Sequence, residues 1–153
     1  MKIYPGKFKA YFPALLVLSA LMILNLIIVN LPLSNTLGYE FAAVNGIILF
    51  LTGGLLTISS VKRTGFLPYI FLFRSNIWFS TLIVIIPLII GSIATIFFSR
   101  CPITDGILFY LVITVPSFIF GSITGYFSSA LSIKWSVIIY LLFFLLLCFI
   151  PIA

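Results

Sequence analysis

The chain has 153 residues, of which 63% are hydrophobic and only 7% are charged, and its formal net charge is +6. Soluble domains carry about a quarter charged residues, and a small globule cannot hide this much apolar surface from water. The composition excludes an ordinary soluble domain and predicts a protein whose solvent is lipid.

The positive charge does not indicate a nucleic-acid partner. The basic residues fall in short gaps between apolar runs, where anionic lipid headgroups would meet them. The chain has no His, and its two cysteines, Cys101 and Cys148, lack metal-binding spacing. We therefore expect no metal and no cofactor, and we expect membrane lipids as partners.

Five apolar runs are long enough to cross a bilayer. A spanning helix needs about 20 apolar residues, because each adds about 1.5 Å across a hydrocarbon core about 30 Å thick. The runs are continuous and too long for the alternating strands of a membrane barrel. The sequence predicts one all-α transmembrane domain over residues 1–153, a polytopic helix bundle with spans at about 11–31, 40–60, 77–99, 106–131 and 135–152.

The first run also has features of a signal peptide, because Lys2, Lys7 and Lys9 precede it. Its apolar part is longer than the usual h-region, and no small-residue cleavage site follows. An uncleaved first helix is the better interpretation.

The basic residues predict an orientation, because cytoplasmic loops carry an excess of Lys and Arg. With a cytoplasmic N-terminus, the inner side holds Lys2, Lys7, Lys9, Lys62, Arg63, Arg74 and Lys134. Only Arg100 lies outside, together with the acids Glu40 and Asp105. Trp78 and Trp135 fall at the inner interface, where aromatic belts form. We expect a multi-pass protein of a bacterial cytoplasmic membrane, with its N-terminus in and its C-terminus out.

Glu40 and Asp105 are the only acids, so acid–base chemistry would need them. Asp105 directly precedes the fourth span, where it can cap free N–H groups. Glu40 begins the second span, where the helix dipole favours negative charge. Arg100 is placed to pair with one of them at the outer face. Because no nucleophile has a base beside it and no phosphate loop exists, we expect no catalytic site.

Three asparagines lie in predicted spans. Asn25 is in the outer half of the first span, Asn30 is near its outer end, and Asn45 is just inside the second. An amide facing lipid is costly, so we expect hydrogen bonds between helices, with a substrate site as the alternative. No ionisable residue lies deep in a span, which weakens the case for an ion-coupled transporter.

The fourth span carries a small residue at every fourth position, in the order Ser117, Gly121, Gly125 and Ser129. Without a Cβ, glycine lets a second helix approach closely, and packing then holds the two helices together in lipid. This ridge predicts a helix-packing face, either within the bundle or against a second chain.

Two prolines, Pro87 and Pro116, lie near the middle of the third and fourth spans. Each removes one helical hydrogen bond and predicts a kink. A static kink is the simpler interpretation, because membrane helices tolerate proline well. A hinge in a moving pathway is the alternative.

The connection between the second and third spans is apolar and aromatic, and it is flanked by Lys62, Arg63 and Arg74. It is too short to cross the bilayer. Basic ends around an aromatic middle predict a segment at about 64–74 that lies in the plane of the cytoplasmic headgroups. A docking surface for a cytoplasmic partner is the alternative.

Cys101 and Cys148 are both predicted near the outer face, where a disulfide could join them in an oxidising compartment. The simpler interpretation is a free loop thiol and a small apolar side chain. Similar depth alone does not bring two Cα atoms within the distance of roughly 7 Å that a bridge requires.

Two classes of function remain. The chain stops at a helix end with no polar tail, so we expect the N-terminal membrane part of a longer protein. Such a module would anchor or assemble a larger protein or complex, through other membrane helices or a following extracytoplasmic domain. The alternative is a small transporter or permease subunit, which the prolines, glycines and asparagines favour.

The predicted orientation can be tested with reporter fusions. A reporter placed after Lys62 should lie in the cytoplasm, and one placed after Arg100 should lie outside, because the basic residues hold the first position inside. Activity of a cytoplasm-specific and an export-specific reporter at each site gives the sides. Finding both positions on one side would contradict the prediction.

Overall fold

The computed structural model describes residues 6–30, 37–65, 77–98 and 103–149. The predicted all-α architecture is confirmed for these residues, which form no strand. The described segments contain five helices, α1 (Gly6–Val29), α2 (Tyr39–Thr64), α3 (Ile77–Phe98), α4 (Ile103–Leu131) and α5 (Ser136–Phe149).

Three of these helices have the length and apolar composition needed to cross a membrane, as expected of a membrane protein. They are α2, α3 and α4, with the candidate spans Tyr39–Thr64, Trp78–Phe97 and Ile103–Leu131. The apolar parts found in the other two helices, Val17–Val29 and Ser136–Cys148, are shorter.

The helix ends differ from the predicted spans. α1 begins at Gly6 rather than near residue 11, α2 continues to Thr64 rather than 60, and α4 begins at Ile103 rather than 106. Hydropathy marks the apolar stretch, whereas a helix can continue among headgroups with its polar side chains solvated. Asp105 therefore lies inside the first turn of α4 rather than directly before the helix. The capping interpretation is replaced by a favourable position in the helix dipole.

α2 ends at a glycine. Gly65 has a φ of 80°, which glycine adopts without steric cost, and its N–H donates to the Val61 carbonyl at 2.9 Å. Lys62 and Arg63 are exposed in the last turn, where positive charge complements the dipole. Thr64 and Gly65 thus belong to the end of α2, and the rest of the predicted interfacial segment lies outside the described residues.

Contacts between α2 and α4 show that these helices run parallel. Successive contacts advance in the same direction along both helices, at the pairs Gly46–Ser117, Phe50–Gly121 and Gly54–Gly125. The helix between them in the chain, α3, runs antiparallel to α2, with contacts at Leu37–Thr95 and Phe41–Gly91. α5 is also antiparallel to α2, at the pairs Phe50–Phe144 and Gly54–Tyr140.

The main apolar core is shared by α1 to α4 and by the residue that leads into α2. Its buried members are Leu21, Ile28, Leu37, Phe41, Ala42, Leu49, Ile83, Tyr110 and Phe118. A smaller cluster of Phe50, Ile58 and Tyr140 attaches α5 to α2. Many outward-facing side chains are also large and apolar, among them Ile23, Ile96, Leu108 and Leu142. An apolar exterior around a packed interior is the pattern that lipid solvent requires.

Tyr140 attaches α5 to α2. Its side chain is fully buried, and its hydroxyl donates to the Phe50 carbonyl on α2 at 2.6 Å. The Tyr140 and Phe50 rings stack at a centroid distance of 5.7 Å. Gly54 makes room for the phenol, because a Cβ at that position would overlap the Tyr140 ring.

Tyr140→Phe tests this attachment. Removing the hydroxyl keeps the ring stack but loses one buried hydrogen bond, so we expect unfolding to become easier by about 1 kcal/mol. Thermal unfolding in detergent measures the change. Tyr39→Phe is the matched control, because the Tyr39 side chain is exposed. Equal melting temperatures for Tyr140→Phe and the parent would show that the hydroxyl contributes nothing.

Candidate functional site

The glycines of α4 lie against the backbone of α2. A Cβ on Gly121 would collide with the Phe50 carbonyl oxygen, and a Cβ on Gly125 would lie 2.5 Å from the Gly54 carbonyl oxygen. Both distances are shorter than real Cβ atoms show, so only glycine fits. Of the other two residues of the predicted ridge, Ser117 faces Gly46, and Ser129 is buried.

The α2 side of this contact was not predicted. Gly46 lies against Ile113 and Ser117, with a hypothetical Cβ 3.2 Å from each, and Gly53 lies against the Phe118 carbonyl, with a hypothetical Cβ 2.8 Å away. We call Gly46, Gly53, Gly54, Gly121 and Gly125 the glycine seam. The signal in α2 was its three glycines, which lack the regular four-residue spacing of α4.

Four serine hydroxyl groups of α4 bond within their own helix. On α4, Ser117 donates to Ile113, Ser122 to Phe118, Ser128 to Thr124 and Ser129 to Gly125, at 2.7–3.0 Å. A hydroxyl that donates to the carbonyl four residues earlier is satisfied within its own helix and needs no partner helix. The seam is therefore held by shape, with small residues allowing close contact, rather than by these hydroxyl groups.

Leu37 joins three helices at the end of the bundle where α2 and α4 begin. Its N–H donates to the Thr95 hydroxyl of α3 at 2.6 Å, and its carbonyl faces Gly106 of α4, where a Cβ would collide with it. Gly91 of α3 makes room for the Leu37 side chain. Sequence reasoning missed this junction, because Leu37 lies between predicted spans and has no distinguishing pattern.

The three asparagines differ in burial. Asn25 and Asn45 are fully buried, whereas Asn30 is exposed at the end of α1 and donates to the Leu26 carbonyl at 2.7 Å. Asn30 therefore does not face another helix as predicted, because at a helix end its amide can bond a terminal carbonyl and remain near polar surroundings.

The predicted interhelical bonds of Asn25 and Asn45 are also not formed. Asn25 Nδ2 donates to the Leu21 carbonyl and Asn45 Nδ2 to the Phe41 carbonyl, each at 3.0 Å within its own helix. Their Oδ1 atoms are buried and accept no hydrogen bond from the described residues. The structure thus places two unpaired acceptors inside the bundle.

Both predicted proline positions lie inside continuous helices, Pro87 in α3 and Pro116 in α4. Pro87 is fully buried, whereas Pro116 is exposed. Near Pro87, the Tyr110 hydroxyl of α4 donates to the Val84 carbonyl at 2.8 Å. This bond joins α4 to the turn of α3 that proline weakens.

The described acidic and basic side chains lie at opposite ends of the bundle. Glu40 and Asp105 are exposed in the first turns of the parallel helices α2 and α4, which defines an acidic end. At the other end, the basic end, lie the exposed residues Lys62, Arg63, Trp78, Lys134 and Trp135. Arg74 and Arg100 lie outside the described residues, so their predicted contacts are not tested.

The described part of the chain contains no group of three His, Cys, Asp or Glu residues that could hold a metal ion. Cys148 is exposed on α5, and Cys101 is outside the described residues. The possible disulfide therefore stays untested. Comparisons with protein-family models, with characterised proteins and with solved structures find no match to this chain.

The glycine seam is tested by adding a single methyl group. Gly121→Ala and Gly125→Ala should each destabilise the bundle by about 1–3 kcal/mol, because the new Cβ meets backbone atoms that cannot rotate away. The measurement is thermal unfolding in detergent. Ala130→Leu, an exposed position on the same helix, is the control and should have little effect. Unchanged melting temperatures for both glycine variants would count decisively against the seam.

Proposed function

We propose that this chain is a non-catalytic integral membrane module with five spans, which anchors or assembles a larger membrane protein or complex. The observation that carries the proposal is the glycine seam, because backbone contact between α2 and α4 makes a rigid centre for the bundle. Around this centre the described surface is largely apolar, which suits contact with lipid and with other membrane helices.

The helix directions support five spans. In a chain that crosses the membrane at every helix, second and fourth spans run in one direction and third and fifth spans in the other. The parallel pair α2 and α4, with α3 and α5 antiparallel to α2, has this arrangement. α1 packs mainly against α3 and completes the series as the first span.

The charges support an orientation with the N-terminus in. Lys62, Arg63 and Lys134 share one end with Trp78 and Trp135, as expected for a cytoplasmic interface with anionic lipids. The two acids share the other end, which we assign to the outside. The exposed basic side chains of the last α2 turn then contact cytoplasmic headgroups.

One open groove on the surface of the bundle suits an anchoring role. An open groove of about 540 Å³ is lined by Phe50, Pro116, Ser117, Ile119, Phe120 and Ile123. This lining is almost entirely apolar and faces outward. It suits an acyl chain or a neighbouring helix better than a polar solute, which would need polar partners along its path.

A small transporter or permease subunit is the second candidate. The unpaired Oδ1 atoms of Asn25 and Asn45 favour it, because buried polar groups mark many substrate pathways in membrane proteins. Pro87 is buried in the same bundle and gives a position where α3 can bend.

A fusion protein and a flux assay together separate these candidates. A monomeric reporter domain fused after Ala153 should remain with the membrane through an alkaline carbonate wash and should be accessible from outside. Liposomes containing the purified chain should shrink and swell in urea or glycerol gradients no faster than protein-free liposomes.

Loss of the reporter into the wash would contradict the anchoring role. Solute flux above the protein-free level that disappears in Asn45→Leu would support the transporter instead. Phe143→Leu, a change at an exposed residue of α5, is the control for the flux assay.

A further inference from the structure

Asn25 and Asn45 each have one buried side-chain oxygen that accepts no hydrogen bond from the described residues. In both residues Nδ2 donates to the fourth preceding carbonyl, at 3.0 Å. A flipped amide would place Oδ1 against that carbonyl oxygen, so the hydrogen bond fixes Oδ1 as the atom without a partner. Both side chains are fully buried, and each Oδ1 lacks a donor among the described residues.

Both amides belong to the faces that build the main apolar core. Asn25 lies between Leu21 and Ile28 on α1, and Asn45 lies one turn from Phe41 and one turn from Leu49 on α2. All four of these neighbours are buried members of that core. The two oxygens are therefore buried on helix faces that carry core residues.

Two buried hydroxyl groups of α4 in the bundle interior donate to backbone carbonyls and not to the asparagines. The Tyr110 hydroxyl donates to Val84, and the Thr114 hydroxyl donates to Tyr110. Pro87 has no N–H, so the buried Ile83 loses the donor that normally bonds its carbonyl. The Ile83 carbonyl is thus a further acceptor of the bundle without its usual helical donor.

We propose that Asn25 and Asn45 are internal hydration sites, at which the side-chain oxygens bind water inside the apolar core. An unpaired polar group in an apolar environment is costly, and water is the smallest neutral molecule that donates hydrogen bonds. A cation fits less well, because the two acids of the chain are exposed and lie at the acidic end.

Position along the helices also favours water. Asn25 is about 6 Å from the end of α1, and Asn45 is about 9 Å from the start of α2, at 1.5 Å per residue. Both amides are thus within about two helical turns of a helix end. The proposal is independent of the anchoring role, because either function can include hydrated amides.

Water-edited solid-state NMR of the full chain in lipid bilayers tests the proposal. The protein is labelled with ¹⁵N-asparagine and ¹³C-leucine, and Asn25→Leu and Asn45→Leu identify the two amide signals. Water magnetisation should reach both amides several times faster than the methyl groups of Leu21 and Leu49, and nearly as fast as exposed Asn30. If water magnetisation reached both amides as slowly as it reaches the methyl groups of Leu21 and Leu49, the proposal would be overturned.

Thermal unfolding of the same variants gives a second measurement. If each oxygen accepts a bond from water, Asn25→Leu and Asn45→Leu lose that bond and melt about 2–4 °C below the parent. If the oxygens are dry and unpaired, leucine removes a buried unsatisfied group and raises the melting temperature. A rise in both variants would therefore also overturn the proposal.

Discussion

Helices α2 and α4 lie closer together than most side chains permit, and this close backbone approach determines where the other helices can pack. Phe50 shows the effect most clearly. Its carbonyl lies against Gly121 and accepts the Tyr140 hydroxyl, while its ring contacts Phe120 and Phe144. One residue of α2 thus contacts both α4 and α5, each through its backbone carbonyl and its ring. The position of α5 follows from that of the parallel pair.

The sequence predicted part of this arrangement. The apolar runs located the helices, and the spacing of Gly121 and Gly125 identified one packing face on α4. The sequence could not identify the helix that packs against that face. On α2 the contacting group is partly the Phe50 backbone carbonyl, and every residue has such a carbonyl. The Leu37 junction was hidden for the same reason, since its important groups are a backbone N–H and a backbone carbonyl.

Asparagine shows a second limit of sequence reasoning. Hydropathy and the cost of polar groups in lipid correctly placed Asn25 and Asn45 in the interior. They could not give the bonding partner, because an amide within a helix can donate to its own backbone as readily as to another helix. Asn30 is chemically identical but exposed, since it lies at the end of α1. The same side chain thus has different surroundings within two turns of one helix.

The parallel pairing of α2 and α4 has a consequence for how the protein is made. Chains enter the membrane during synthesis in order from the N-terminus. When α2 leaves the ribosome, α4 has not yet been translated. The helix surface against which the glycines of α2 pack is therefore absent at that stage. α2 must therefore stay in the membrane beside lipid, or beside the insertion machinery, until a complete helical hairpin has followed it. The bundle can close only when its fourth helix arrives.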